Sequence, residues 1–540
     1  MSRTRFRVLS VIATLGLAGA VVAAQPAGAT ESKARHVLLI SVDGLHQTDL
    51  AWYTAKHPDS ALGKLVGQGV LYTNAMTPFP SDSFPGMVAQ VTGGNPKTTG
   101  VYYDDSYNHA LLPAGTTNCV GVTPGVEVTY FEALDKNPLS LDAGQGLAGL
   151  PDSILQMTGN ARSLIDPTQL PVDPATCQPV YPDQYLKVNT IFEVARAAGL
   201  RTAWSDKHVA YEILGGKTQG IQDLFAPEIN SNASVVNGQD WTKDNASTQY
   251  YDSFKVQAVI NEINGFDHSG QHYVGTPAIF GLNFQTISTA EKLPNGGYMA
   301  DGITPSGLLE GALDYINNKL AAMEAAIARR GLKESTTIIL SAKHGQSPNT
   351  PSALTRINDG TIQSALNAAW RAAGHSTDLV AFAIDDDGWL MWTTDRSQAA
   401  TNFAKNFLQN YSGTGTDIQG NPKAFTSSGL QPSKIYAGAD AAAFIGVPAG
   451  DPRVPDVIGV AQYGTVYTGG KGKIAEHGGD NPQDRDVALV VSGGEIGGGK
   501  VVTSSVETTQ IAPTILQLLG LNPQALQAVK IEGTKVLPGA

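Results

Sequence analysis

The sequence predicts an α/β fold with a largely parallel central sheet and helices on both faces. Short, continuous apolar runs at residues 36–42, 278–284, 336–341 and 487–492 have the length of strands that are buried on both sides. Stretches with helical character separate them, among them residues 188–198, 307–329, 397–408 and 508–519. This alternation is typical of layered α/β folds.

Polar residues follow two of these predicted strands. The first strand stops at Asp43-Gly44, and the third is followed by Lys343 and His344. In α/β folds the ligand site lies beyond the carboxyl ends of the strands. We therefore expect Asp43, Lys343 and His344 to line a common site.

The composition is that of a soluble globular protein. Of the 540 residues, 42% are hydrophobic and 16% are charged, and the net charge is −12 with no dense run of Lys or Arg. Binding to a nucleic-acid polymer requires many phosphate contacts from basic residues, so no such partner is expected. The composition leaves the oligomeric state open.

Residues 1–29 are predicted to be a signal peptide. Arg3, Arg5 and Arg7 precede an apolar stretch that ends near the small residues Ala27-Gly28-Ala29. Cleavage would change the net charge from −12 to −15, because the segment holds three arginines and no acid. The product would be secreted, extracellular or periplasmic, without a membrane segment. The alternative is an uncleaved membrane anchor.

The two cysteines, Cys119 and Cys177, both lie after the predicted signal. In an oxidising compartment they are expected to form a disulfide, which would contribute about 4 kcal/mol through its long loop. Two unrelated buried thiols are the alternative. Neither cysteine belongs to a CxxC pair, so a metal or redox role is not expected.

Residues 30–540 are predicted to form a single catalytic domain, because the chemical motifs run from residue 43 to residue 513. Two insertions interrupt it. Residues from about 102 to 183 are rich in Pro, Gly, Asp and Asn and are predicted to be loops. Residues from about 347 to 472 alternate helix and strand signals and could form a cap or subdomain.

Ser83 is the candidate nucleophile. It lies in Ser81-Asp-Ser-Phe-Pro-Gly86, directly before an apolar, helix-compatible segment. A hydroxyl at a helix N-terminus can attack an electrophile while nearby amides hold the developing charge. The alternative is that Ser83 only caps the helix.

Four further motifs accompany Ser83. They are Ser41-Val-Asp43-Gly44, Ser341-Ala-Lys343-His344-Gly345, Glu476-His477-Gly-Gly-Asp480-Asn481 and the run from Thr508 to Gly520. Their order resembles the alkaline phosphatase superfamily, most closely its type I phosphodiesterase/nucleotide pyrophosphatase branch. The resemblance implies an alkaline phosphatase-like fold, bound zinc and hydrolysis of small phosphate esters.

The resemblance also implies roles for single residues. Ser83 matches the nucleophile, which is usually Thr in the branch. Asp43 and His344 match ligands of the metal beside the nucleophile, and His477 matches a ligand of the second metal.

Several positions depart from the family pattern. Lys343 replaces an Asp ligand, Gln285 and Thr289 stand at the positions of an Asp and a His ligand, and Gly86 replaces an Asn. We therefore expect one divalent ion rather than two at Asp43, Ser83 and His344, with zinc as the metal that the resemblance implies, although the sequence leaves the metal's identity open. Lys343 is predicted to be a catalytic residue whose ammonium supplies part of the missing charge.

Asp206 and His208 are two candidate replacement ligands. They share one face if their segment is a strand, and otherwise belong to a surface loop or helix cap. Most of the remaining histidines, including His46 and His268, are predicted to be surface or packing residues.

The leading prediction is a secreted, metal-dependent phosphoric-ester hydrolase with a serine nucleophile. A sulfatase-like hydrolase is one alternative, although Ser83-Phe-Pro85-Gly-Met87 lacks the arginine of the sulfatase signature. A non-catalytic binding protein on the same fold is the other. The sequence leaves open the physiological substrate and the choice between monoesters and diesters.

Overall fold

The computed structural model describes residues 34–468, 472–494 and 496–540. The predicted signal peptide lies outside the described residues. Among the helices of the described part, none is long and apolar enough to span a bilayer.

The strands are β1 (His36–Val42), β2 (Val70–Tyr72), β3 (Ala75–Met76), β4 (Asp105–Asn108), β5 (Val126–Thr129), β6 (Val172–Asp173), β7 (Gln178–Pro179), β8 (Trp204–Ser205), β9 (Leu224–Phe225), β10 (Ile279–Phe284), β11 (Thr336–Ser341), β12 (Thr355–Ile357), β13 (Val380–Ile384), β14 (Gly388–Thr393), β15 (Gly413–Thr416), β16 (Pro422–Phe425), β17 (Leu430–Ala437), β18 (Val457–Ala461), β19 (Thr465–Tyr467), β20 (Val490–Gly493), β21 (Lys500–Val502) and β22 (Val506–Glu507).

The α-helices are α1 (Gln47–Lys56), α2 (Ala61–Gln68), α3 (Ser83–Thr92), α4 (Pro96–Thr99), α5 (Pro182–Tyr185), α6 (Ile191–Ala197), α7 (Asn245–Ile263), α8 (Thr286–Lys292), α9 (Gly307–Arg329), α10 (Asp359–Ala372), α11 (Gln398–Asn410), α12 (Ala439–Ile445), α13 (Pro482–Arg485), α14 (Ile511–Leu518) and α15 (Gln527–Glu532).

The central sheet has eight strands in the order β21-β2-β20-β11-β1-β10-β8-β9. β1 pairs in parallel with β10 and β11, and β8 continues the parallel arrangement with β10 and β9. β20 runs antiparallel to β11 and β2. The predicted α/β fold is thus confirmed, and the run at 487–492 forms an antiparallel strand of an otherwise largely parallel sheet.

The middle of the sheet is covered on both faces, which explains its continuous apolar runs. Every residue of β10 and β11 is buried, as are all residues of β1 after His36. Since β1, β10 and β11 are parallel, the residues that follow them meet at one edge of the sheet. Asp43, Gln285 and Lys343 therefore come together there.

Helices pack around the sheet in two groups. α7, α8 and α9 contact one another, and α2 joins them against α9 and β20. α14 contacts α3 and α6, and α15 contacts α3 and α4. α9 has the bounds predicted from the sequence, because its buried residues recur at helical spacing from Leu309 to Ile327.

The two predicted insertions have different structures. Residues 102–183 hold the short hairpins β4–β5 and β6–β7, and Cys119 and Cys177 form the predicted disulfide. Residues 347–472 hold two four-stranded sheets, β16-β15-β12-β19 and β13-β14-β18-β17, with α10 to α12. A hydrophobic cluster of their own includes Trp370 and Trp389. The domain boundaries stay a prediction.

Candidate active site

Ser83 and Asp43 are brought together by the ends of a helix and a strand. Ser83 is the first residue of α3, whose N-cap Asp82 accepts a hydrogen bond from the Phe84 amide. Asp43 follows β1 and precedes Gly44, which has φ +87°, a backbone conformation that favours glycine. Both side chains are buried.

Three groups surround the Ser83 hydroxyl. Its Oγ lies 3.1 Å from Asp43 Oδ2 and 3.1 Å from His344 Nε2. Lys207 Nζ donates to the same oxygen at 3.0 Å. The hydroxyl thus contacts a carboxylate, an imidazole and an ammonium at once.

Asp43 accepts hydrogen bonds from a side chain on β10 and from one directly after it. Asn283 Nδ2 donates to its Oδ1 at 2.7 Å, and Gln285 Nε2 donates to its Oδ2 at 2.6 Å. Burial alone would raise the pKa of Asp43, but the charges of Lys343 and Lys207 hold that pKa well below its usual range. Asp43 is therefore an ionised carboxylate.

Lys207 is the cation nearest the hydroxyl. Besides Ser83, its ammonium lies 3.4 Å from Asp43 Oδ2 and 3.4 Å from Gln285 Oε1. Burial would lower the pKa of Lys207, but Asp43 and Asp206 raise it above its ordinary value. Lys207 is therefore protonated at neutral pH and places a full positive charge beside Ser83.

Lys343, the predicted catalytic lysine, contacts different partners. Its Nζ donates to Asp206 Oδ1 at 3.0 Å and to the Tyr211 hydroxyl at 2.9 Å, and it lies 4.0 Å from Asp43 Oδ1. Burial lowers the pKa of Lys343, against the opposing effect of Asp206 and Asp43. Its charge acts on Asp43 and not directly on the Ser83 hydroxyl.

His344 is oriented by its own backbone. Its Nδ1 donates to the Gly345 carbonyl at 2.9 Å, which leaves Nε2 as an acceptor facing Ser83. The ring of His477 packs against it, with 3.8 Å between centroids. Burial, His344 and Lys292 hold the pKa of His477 well below its usual range. His477 is therefore a neutral imidazole.

The positions at which the family has further ligands carry other contacts here. Gln285 lies directly after β10 and binds Asp43, while the Thr289 hydroxyl on α8 accepts a hydrogen bond from Asn245. Gly86, on α3, faces the backbone of Lys343, two residues after the end of β11. A Cβ at that position would lie 2.1 Å from the Lys343 carbonyl oxygen, so no side chain fits there without movement.

Asp206 and His208 are both buried, which excludes a surface loop. Asp206 pairs with Lys343 and accepts from the Trp204 indole at 2.8 Å. His208 pairs with Glu228. Among the described contacts, neither Asp206 nor His208 reaches Ser83. Lys207, which lies between them in the sequence, contacts Ser83 instead.

A cavity of about 550 Å³ opens beside these residues. Its described lining includes Lys207, Gln285 and His477, the apolar side chains Phe131, Ile229 and Leu293, and the further lysines Lys243, Lys292 and Lys473. The lining also includes the acids Asp104, Glu132, Asp386 and Glu476, and Glu476 pairs with Lys292 and Lys473. Lys207 and Lys243, with the apolar side chains, suit an anionic organic molecule.

The donor atoms of Asp43, Ser83 and His344 fit one divalent ion. Asp43 Oδ2 and His344 Nε2 are 3.8 Å apart, and each lies 3.1 Å from Ser83 Oγ. Ligands of a single zinc ion lie at about 2.0–2.2 Å from the metal and hence roughly 3–4 Å from one another. The Gly345 carbonyl also orients His344 in the way that metal-binding histidines are usually oriented.

His477 does not belong to this donor set. The ligand atoms of His477, Asp386 and Glu476 all lie within 4.8 Å of one another. Those of Asp43, His344 and His477 do not form such a group. Glu476, however, is already paired with Lys292 and Lys473. The donors of Asp43, Ser83 and His344 thus lie close enough together for one ion, although Lys207 and Gln285 already contact two of them. The carboxylate of Glu476 beside His477 is already neutralised by lysines.

Sequence reasoning did not single out Lys207, Asn283 or Glu476. One signal could have found Lys207. It follows the short strand β8, which adjoins β10 in the sheet, so its side chain comes from the same strand edge as Asp43 and Gln285.

Comparisons with known proteins agree with this arrangement. Murine ectonucleotide pyrophosphatase/phosphodiesterase 5, solved in an inactive form with AMP, has a TM-score of 0.54 and 11% identity, covering 91% of this chain and 96% of that one. The human protein of the same name has a TM-score of 0.51 and 12% identity, covering 90% and 95%. The alkaline phosphatase PafA has a TM-score of 0.57 and 13% identity, covering 91% and 96%. At these identities the likeness shows the fold.

The family is shown by the sequence itself. No curated protein matches the chain significantly. The profile of the family described as type I phosphodiesterase / nucleotide pyrophosphatase matches residues 37–482, which include Asp43, Ser83, His344 and His477. The chain therefore belongs to the type I phosphodiesterase/nucleotide pyrophosphatase family, whose members are hydrolases of phosphoric ester and pyrophosphate bonds.

Proposed function

We propose that the chain is a secreted, metal-dependent hydrolase of nucleotide-type phosphodiesters or pyrophosphates, with Ser83 as the nucleophile. The observation that carries the proposal is the environment of Ser83 Oγ, which lies within 3.1 Å of Lys207, Asp43 and His344. A serine that only caps a helix does not require contacts between its hydroxyl and a buried ammonium and a buried carboxylate.

The reaction proceeds in two displacements. Ser83 Oγ attacks phosphorus, the Oγ–P bond forms, and the bond from phosphorus to the leaving oxygen breaks. Water then attacks this intermediate, in which Ser83 carries the phosphoryl group with its remaining ester substituent, so that the P–Oγ bond breaks and the serine is restored. Lys207 stabilises the negative charge on Oγ and on the phosphoryl oxygens, because its pKa keeps it protonated.

Asp43, Ser83 and His344 would hold one divalent ion, for which zinc is the expected metal. Such an ion supplies a Lewis acid that favours the deprotonated serine and neutralises phosphoryl charge. Lys343 contributes its charge to the same region through Asp43, 4.0 Å away. His477, a neutral imidazole next to His344, borders the cavity and is available to orient the leaving group or water.

The substrate class follows from the cavity. Its lysines suit phosphates, and Phe131, Ile229 and Leu293 offer apolar contacts for a nucleoside. The murine structure, which has the same fold, holds AMP. A phosphate ester with an attached organic group thus fits better than inorganic phosphate alone.

The test is hydrolysis of bis(p-nitrophenyl) phosphate by the wild type, Ser83→Ala and Asp43→Asn, each with and without a chelator. We expect loss of turnover in Ser83→Ala, a chelator-sensitive rate in the wild type, and one bound ion fewer in Asp43→Asn. Equal rates for wild type and Ser83→Ala would favour a binding protein, and hydrolysis only of p-nitrophenyl sulfate would favour a sulfatase.

A further inference from the structure

A second group of metal-ligating side chains lies at the wall of the cavity, away from Ser83. Glu132, His208 and Glu228 each offer one ligand atom, and these atoms all lie within 4.8 Å of one another. His208 Nδ1 is 3.0 and 2.9 Å from the two carboxylate oxygens of Glu228. We refer to Glu132, His208 and Glu228 as the wall cluster.

Asp135 adds an unpartnered carboxyl to the wall cluster. It is 3% exposed, and neither of its carboxylate oxygens has a hydrogen-bond donor among the described residues. The carboxyls of Glu228 and Glu132 adjoin it. A buried carboxyl that faces two other carboxyls is stabilised when a cation lies among them.

Several of the protein's other buried carboxylates pair with basic side chains. Asp206 pairs with Lys343, Glu212 pairs with Arg162, and Glu476 pairs with Lys292. For the wall cluster and Asp135, the described residues provide no salt bridge from Lys or Arg. The basic side chain that contacts these carboxyls among the described residues is the His208 imidazole, which lies beside Glu228.

The ligands are held in place by a neighbouring asparagine. Asn230 donates its side-chain amide to Glu132 at 2.8 Å and its backbone amide to Glu228 at 2.8 Å. Metal-binding carboxylates are commonly oriented by such outer hydrogen bonds. Glu132, His208 and Asn230 also line the 550 Å³ cavity, so a hydrated ion can reach them.

Two other clusters are weaker candidates. His46, Asp49 and Glu291 are surrounded by donors, since the Tyr298 hydroxyl contacts all three and Gln346 donates to Glu291. In the group formed by Asp386, Glu476 and His477, two lysines already neutralise Glu476. The wall cluster is the one of the three that combines excess carboxylate, an unpartnered buried carboxyl and access from the cavity.

We propose that Glu132, His208 and Glu228 bind one divalent cation, with the buried carboxyl of Asp135 beside Glu228. One imidazole and two carboxylates suit Zn²⁺ or Mn²⁺ better than Cu⁺ or Ca²⁺. The site is separate from the donors at Ser83, and the proposal does not depend on the proposed reaction.

Cobalt titration of the full chain tests the proposal, because Co²⁺ bound to nitrogen and oxygen ligands absorbs visible light. After chelator treatment, Asp43→Asn protein, which lacks the Ser83-site carboxylate, should still bind one Co²⁺ per chain. Adding Glu228→Gln to Asp43→Asn should weaken that binding about tenfold or more and change the spectrum. Glu334→Gln, at an exposed glutamate, is the matched control and should leave binding unchanged.

Glu132→Gln provides a second variant if Glu228→Gln fails to fold, because Glu132 is only partly buried and the change preserves its shape. The melting temperature of Asp43→Asn protein should rise with added Mn²⁺ or Zn²⁺, and Glu132→Gln should remove that rise. Asp43→Asn protein that binds no Co²⁺, or Co²⁺ affinity within twofold of the control after either glutamate change, would overturn the proposal.

Discussion

The ammonium of Lys207 lies 3.0 Å from the hydroxyl oxygen of Ser83, although 124 positions separate the two residues in the chain. The same ammonium contacts Asp43 and Gln285. A family site usually relies on metal ions for positive charge at this point. Here a lysine that follows β8 places its charge directly at Ser83, the proposed nucleophile.

Replacing Lys207 by Met should therefore impair the chemistry. The removed cation stabilises charge that develops on Ser83 Oγ and the phosphoryl group, so kcat/KM for a phosphodiester should fall roughly 10²–10³-fold. Steady-state kinetics measures the loss. Lys243→Met is the matched control, since Lys243 lines the same cavity and has no described contact with Ser83. An equal loss in both variants would mean that Lys207 acts only through the general charge of the cavity.

Gly86 should be intolerant of any side chain. A Cβ there would lie 2.1 Å from the Lys343 carbonyl oxygen, so Gly86→Ala forces α3 away from the strand end that carries Lys343. We expect a destabilisation of about 1–3 kcal/mol. Thermal unfolding checks this against Gly67→Ala, in a helix position with no atom within 4 Å of the added Cβ. Gly67→Ala should be neutral or slightly stabilising, and equal melting temperatures would contradict the prediction.

His268 should make stability depend on pH. Its Nδ1 faces Asp223 Oδ1 at 2.5 Å and its Nε2 faces the Met157 carbonyl at 2.7 Å, so both nitrogens have acceptors. Burial opposes its charge, but Asp223 raises the pKa of His268 above its ordinary value. The stabilisation is therefore complete below the unfolded pKa of about 6.5 and is lost as the pH rises through the higher folded pKa.

His268→Gln accordingly should cost about 1.5–3 kcal/mol in mildly acidic buffer and less in alkaline buffer. Melting temperatures of both proteins at about pH 5.5 and about pH 9 measure this. Asp223 is ionised at both values because its own pKa is lowered, so it does not confound the comparison. A difference in melting temperature that grows with pH would show that His268 is buried as a neutral ring.

Much of the central fold follows from the sequence because its signals are local. β1, β10, β11 and α9 are continuous apolar runs or helical repeats, and the order of the motifs around Asp43, Ser83 and His344 sufficed to predict the family. The strand direction of β20 was not visible, because pairing partners are set by tertiary contacts. For the same reason, the sequence did not predict that the strands of residues 347–472 form two four-stranded sheets.

The electrostatics of the site were predicted less well. Lys343 was expected to supply part of the missing ion's charge, and this stays a prediction; its partners are Asp206 and Tyr211, and it lies 4.0 Å from Asp43. Which lysine reaches Ser83 depends on where β8 lies beside β10, and no local pattern encodes that. His268, taken as a packing or surface residue, pairs with Asp223 across 45 positions for the same reason.

Covalent capture of the nucleophile tests the proposed mechanism most directly. Protein mixed with a phosphodiester substrate is quenched in acid within one turnover, digested, and analysed by mass spectrometry. We expect the peptide that contains Ser83 to gain the mass of the phosphoryl group with its remaining ester substituent, and Ser83→Ala protein to gain none. A modified peptide elsewhere in the chain, or turnover without any modified peptide, would contradict the role of Ser83.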